Sequence, residues 1–190
     1  MIRRSPPKWL LKLESDPFGA IPWMEMFLTL PPGGVREAFP DPASCAARLA
    51  VVRWPKGVRC LSCGTDDVGF VEKRDLYQCR TCRRQFSVTT ETVAHRSRFD
   101  LRLWFVFAEE IISAYATRSE DTVLVGHGIA DRYGISYAAA HRLKTSLTKS
   151  LSEPGGGLIG ACICVRSLPV TRDPGLSTEE WHRKLLDAML

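Results

Sequence analysis

Two cysteine pairs constrain this chain more than any other feature. Cys60-Leu61-Ser62-Cys63 is followed, after fifteen residues, by Cys79-Arg80-Thr81-Cys82. A C-x-x-C pair repeated at that interval reads as a structural zinc site. Each pair lets one tight turn present two sulfurs to one ion, and Zn²⁺ takes four soft ligands at tetrahedral corners. A closed shell of Cys60, Cys63, Cys79 and Cys82 leaves no open position for a substrate, so the expected single Zn²⁺ is structural. Between the pairs, Val68 to Lys73 alternates as a strand does, Arg74-Asp75 turns, and Leu76 to Gln78 returns. Arg84 to Val88 offers a third short strand. Three short strands on one metal make a zinc ribbon. So small a unit lacks the core to fold alone, and zinc supplies on the order of 10–16 kcal/mol in comparable peptides.

Charge is concentrated in the same region. The chain of 190 residues carries a net charge of +5. From Arg48 to Phe105 there are twelve Arg or Lys against six Asp or Glu, a local balance of +6. A basic segment is the footprint of a nucleic-acid binder, although a solvated face would have the same composition. The seven cysteines are an odd number and their pairing suits metal rather than disulfides, so a reducing cytoplasm is expected. Arg3-Arg4 is not followed by a clean apolar run, which argues against a signal peptide. Nothing approaches the roughly eighteen apolar residues of a membrane span.

The pattern predicts an α+β protein in four parts. Residues 1–38 hold Pro6, Pro7, Pro17, Pro22, Pro31 and Pro32 and read as a flexible arm with contact points at Trp9, Trp23, Met24 and Phe27. Residues 39–99 hold a helix opened by Asp41-Pro42 and closed by Trp54-Pro55, then the ribbon. Residues 100–152 begin with a helix from Leu101 to Thr117 whose buried stripe is Leu101, Trp104, Phe105, Ala108, Ile111, Ile112 and Tyr115. Glu109-Glu110 reads as its solvated edge. A helix from Val123 to Tyr133, a break at Gly134-Ile135-Ser136 and a helix from Tyr137 to Ser150 follow the helix-turn-helix pattern. Residues 153–190 read as an appendage: an apolar strand from Leu158 to Val165, then a helix to Met189 opened by the capping box Ser177-Thr178-Glu179-Glu180.

Three stretches resemble a known family. "FPDPASCAARLAVVRWPKGVRCLSCG", "YQCRTCRRQFSVTTETVAHRSRFDLRLWF" and "IADRYGISYAAAHRL" together are similar to the N-terminal part of bacterial insertion-sequence transposases. The resemblance runs from Phe39 to Leu151. It implies a transposase-like zinc ribbon, a helical DNA-binding region and a role in holding transposon-end DNA, hence association with the bacterial nucleoid. In that family a ribonuclease-H-like domain with an acidic triad follows. Here no acidic residue lies between Glu153 and Asp173. Two-metal phosphoryl transfer needs converging carboxylates, so no catalytic residue is expected. His141 also departs from the family, which usually has an aromatic residue there.

The expected function is therefore non-catalytic binding of double-stranded DNA. Tyr137, His141, Arg142, Lys144, Thr145 and Lys149 are candidates to read or hold it from the second helix, with Arg142, Lys144 and Thr145 foremost. Arg80, Arg83 and Arg84 beside the second cysteine pair would either neutralise the thiolate site or track phosphates; both effects are electrostatic. Arg96, Arg98 and Arg102 are expected on phosphates. His95 and His127 read as surface or capping residues, and Cys45, Cys162 and Cys164 as buried free thiols. A transcriptional regulator would share this chemistry. A protein-interaction adaptor, with a protein partner or a second copy, is the other class left open. No small-molecule substrate is expected.

Overall fold

The computed structural model describes residues 21–117, 126–168, 170–171 and 173–187. It is an α+β molecule: a small three-stranded antiparallel sheet beside a helical body. The trunk of the body is α4 (Leu101–Thr117). Asp100 caps it by accepting from the Leu103 amide at 2.8 Å. Val106 and Phe107 are buried as well as the expected stripe, because helices pack around α4 on several sides. Tyr115 is the exception, 37% exposed and stacked on Trp23 at 4.7 Å.

Residues 21–38 are not an arm. They form α1 (Ile21–Thr29) and α2 (Val35–Ala38), and Trp23, Met24, Met26, Leu28 and Val35 are buried. Proline misled here, because Pro31-Pro32 falls in the turn between two helices, where its missing N–H costs nothing. Residues 1–20, including Trp9, lie outside the described residues.

Next comes α3 (Pro42–Arg53), where Asp41 accepts from the Ser44 amide at 2.7 Å and holds its own carboxyl below the usual range through that bond. After the ribbon and α4 follow α5 (Gly126–Tyr133), the Gly134-Ile135-Ser136 turn and α6 (Tyr137–Leu151). Residues 118–125, where the first of these helices was expected to begin, lie outside the described residues.

Leu158 to Ile163 of the expected strand is helical instead. Gly155, Gly156 and Gly157 all take positive φ and turn the chain into α7 (Gly157–Ile163). A short apolar run does not declare its period. What decides is the surroundings: α7 packs against α3, α4 and α6, and Ile159, Gly160, Cys162 and Ile163 are buried. Arg48 of α3 donates to the Cys162 and Ala161 carbonyls at 3.0 and 3.3 Å. Those are end-of-helix carbonyls with no partner in their own turn.

The final helix, α8 (Thr178–Asp187), keeps its capping box, with the Ser177 amide donating to Glu180 at 2.9 Å. Trp181 and Leu185 are fully buried, and the Trp181 indole donates to Glu25 of α1 at 2.7 Å. One hydrophobic cluster therefore runs from Trp23 to Leu185. The ends expected as arm and appendage close the body together.

Candidate metal centre and nucleic-acid interface

The ribbon sheet is β1 (Val68–Val71), β2 (Leu76–Cys79) and β3 (Gln85–Phe86), in that order. Val68 pairs with Cys79 and Tyr77 with Phe86. This register places the second cysteine pair at one end of the sheet. Phe86, Cys60 and Cys79 form a small core of their own, walled by Trp54 and Tyr77. The Trp54, Tyr77 and Phe86 rings lie 5.4 to 6.0 Å apart.

Both cysteine turns have one construction. The Gly64 amide donates to the Cys60 carbonyl at 3.0 Å, and the Arg83 amide to the Cys79 carbonyl at 3.1 Å. The Cys60 amide donates to Thr65 and the Cys79 amide to Arg84, at 2.8 and 3.0 Å. The residue after each pair is left-handed: Gly64 at φ 73° and Arg83 at φ 63°. This repeat brings the four sulfurs within 4.8 Å of one another. Cys60 and Cys82 are 3.5 Å apart and Cys63 and Cys79 3.6 Å. Tetrahedral Zn–S bonds of about 2.3 Å give sulfur separations of about 3.8 Å, so the cluster fits one zinc ion.

Backbone amides support the thiolates. The Cys82 amide points at the Cys79 sulfur at 3.3 Å and the Ser62 amide at the Cys60 sulfur at 3.4 Å. The Cys63 amide chiefly draws the Cys60 thiol down to about 6, and the Cys82 amide chiefly lowers Cys79. Cys60 and Cys79 are buried while Cys63 and Cys82 reach solvent. Zinc bound here ties the two turns together and carries no open site.

Residues 40–85 match the transposase zinc-ribbon domain. The chain is also 36% identical over 73 residues to an uncharacterized protein in transposable element ISH50 of Halobacterium salinarum. That match covers 37% of this chain and spans a quarter of the relative's length. No solved structure matches. The family match ends at Gln85, which leaves the α5–α6 face to be judged on its own geometry.

The arginines around the ribbon divide into two groups. Arg80 pairs with Asp67 at 3.3 Å and Arg84 with Glu91 at 2.8 Å. Arg102 is half-buried and donates to the Phe39 carbonyl at 3.3 Å. Arg83, Arg96 and Arg98 are exposed, and among the described residues no ion pair holds them. Arg96, like Arg83, is left-handed, at φ 55°.

On α6 the buried face is Ala140, Leu143, Leu147, Ser150 and Leu151. Tyr137, His141, Arg142, Thr145 and Lys149 share the exposed side. Ser136 caps the helix by accepting from the Ala139 amide at 3.3 Å. Lys144 sits half-buried at the border of the two faces, less prominent than expected. The loop after the ribbon meets this helix: Glu91, Thr92 and Val93 face Ser146, Lys149 and Ser150 across a cleft.

Some partners were not visible in the sequence. Glu109 is not a solvated edge; its carboxylate accepts from the Val35 amide at 2.9 Å. Glu110 pairs with Arg132 of α5 at 3.2 Å and fastens that helix to α4. His95 accepts from the Glu91 amide at 2.7 Å and so braces the Arg84–Glu91 turn. His127 lies with its ring 4.7 Å from that of Tyr137. Only an i, i+3 or i, i+4 rule is readable in sequence, and the Glu109, Glu110 and His127 pairs span different elements. Cys45 and Cys162 are buried as expected, and burial pushes their thiols up to about 11 and about 12. No described helix is long and apolar enough to cross a membrane.

Proposed function

We infer that this chain is a transposase-derived module that binds double-stranded DNA, with zinc holding the ribbon and the α5–α6 pair acting as a helix-turn-helix. The observation that carries this reading is the placement of unpaired cations. Among the described residues no ion pair holds Arg83, Arg96 and Arg98 on the ribbon and its following loop, nor Arg142 and Lys149 on the exposed side of α6. The cleft between Glu91 and Lys149 joins the two elements. Unpaired guanidinium groups gain most from phosphate, because binding releases condensed counterions without breaking an ion pair. A three-residue turn between two packed helices, with the second presenting Arg142 and Thr145, suits a helix laid in the major groove. The similarity of residues 40–85 to a transposase zinc ribbon supports the same partner.

The proposed role is to hold DNA rather than cut it. Support comes from the two carboxylates of α4, which are committed to Val35 and Arg132. The test is fluorescence anisotropy on a duplex selected from a random pool, using zinc-loaded protein over a salt series. Arg98→Ala is expected to weaken every duplex alike and flatten the log–log salt slope by about 1. Arg142→Ala is expected to relax sequence preference, at about 1–3 kcal/mol for a base contact. Binding that ignores salt, or that neither substitution changes, would overturn the reading.

A further inference from the structure

Three rings from two helices form an exposed ladder at the start of α6. His127 of α5 lies 4.7 Å from Tyr137, with planes inclined by 33°. His141, one turn along α6, lies 6.4 Å from Tyr137 with planes inclined by 32°. Tyr137 is 51% exposed, and both histidines are exposed. The ladder depends on a glycine: a Cβ on Gly126 would come within 2.6 Å of the Tyr137 ring. It has no salt bridge to any described residue.

Along the same side of α6 the residues Tyr137, His141, Thr145 and Lys149 recur every four positions. The line therefore reads ring, ring, hydroxyl, ammonium, with steps of about 6 Å. Arg142 flanks it, exposed. A paired base inside a duplex offers only its edge to a protein, whereas an unstacked base offers a π-face. Exposed aromatic faces beside cations are the arrangement that binds single-stranded nucleic acid, where bases stack on side chains and the backbone follows positive charge. An apolar protein partner would use the rings but gain nothing from Lys149 and Arg142.

We propose that the His127–Tyr137–His141 ladder stacks an unpaired nucleobase, so that the module binds DNA carrying a single-stranded overhang more tightly than a blunt duplex. This rests on the reading that α6 faces DNA, and it names the form of DNA. The step is non-covalent and needs no co-reactant.

The test compares a blunt duplex with the same duplex bearing a short 3′ or 5′ overhang that contains 2-aminopurine. Zinc-loaded full chain is used throughout. The overhang is expected to raise affinity about tenfold, and its 2-aminopurine emission is expected to be quenched on binding. Tyr137→Ala is expected to abolish both gains, so that its loss on the overhang DNA exceeds any loss on the blunt duplex by about tenfold. Tyr137→Phe keeps the ring and is expected to retain them, which separates stacking from a folding defect. His127→Ala is expected to reduce the gain in part. Equal affinity for the two DNAs, or equal losses on both from Tyr137→Ala, would overturn the proposal and leave duplex binding standing. Binding to neither DNA would overturn both. Binding only through the overhang would sustain this proposal and overturn the duplex reading. An unchanged DNA profile for Tyr137→Ala alongside loss of a protein contact would overturn the proposal in favour of a protein partner.

Discussion

Arg83 and Gly64 occupy the same place in the two cysteine turns, and both are left-handed. Glycine adopts that conformation without strain, whereas a side chain there costs on the order of 1–2 kcal/mol. Arginine at the second turn therefore works against the backbone, and its side chain is exposed and without an ion pair among the described residues. Strain retained at an exposed position points to what the side chain contacts. Arg83→Gly separates the two effects. It relieves the turn while adding freedom to the unfolded chain, so the melting temperature is expected to hold or rise slightly. DNA affinity is expected to fall by about 1.5–3 kcal/mol, the range of a hydrogen bond to a charged group. Thermal melts and anisotropy on the same preparation check this. A drop in melting temperature with unchanged affinity would show that Arg83 serves the turn instead.

Helix α7 shows how an element is chosen by its neighbours. Its apolar run suits a strand or a helix equally. The glycines before it, each at positive φ, set the direction, and α3 supplies Arg48 to the carbonyls at its end. Removing that side chain leaves two part-buried carbonyls without their donor. Arg48→Ala is expected to cost about 1–3 kcal/mol. Urea unfolding should show the loss in the midpoint, with an unchanged slope, since the folded surface is the same. The loop that carries Arg84, Glu91 and His95 is built the same way: an ion pair and an imidazole hold a left-handed Glu91 at φ 64° beside α6. In both cases side chains complete a backbone that local preference leaves undecided, from 114 residues away at α7 and from four to seven residues away in the loop.

At the scale of the molecule there are two cores. The helical cluster joins α1 through α8, whereas the ribbon rests on Phe86, Cys60 and Cys79 with a few aromatic neighbours. Their stabilities should separate when zinc is withdrawn. A chelator is expected to release the ribbon, abolish DNA binding and leave most of the far-UV helical signal. Thiol counting gives an independent reading. Cys60, Cys63, Cys79 and Cys82 become reactive after chelation, while Cys45 and Cys162, buried and pushed up to about 11 and about 12, stay silent until the body unfolds. Collapse of all helical signal with the metal would show the two cores to be one cooperative unit.

The cysteine spacing, the Asp41 and Ser177 caps, the helical stripe of α4 and the turn at Gly134 were all readable in one dimension. Each is a rule about residues within a few positions of one another: a metal turn, a capped amide, a period of 3.6. Tertiary structure alone decided that residues 21–38 and 178–187 close one core, through Trp181 and Glu25. It likewise decided that Leu158 to Ile163 is helical, that Glu109 and Glu110 are structural, and that Arg80 and Arg84 are held in ion pairs. The physical reason is common to all of these. A charge or an apolar run carries no label for its partner, and only the fold brings the partner within a few ångströms of it.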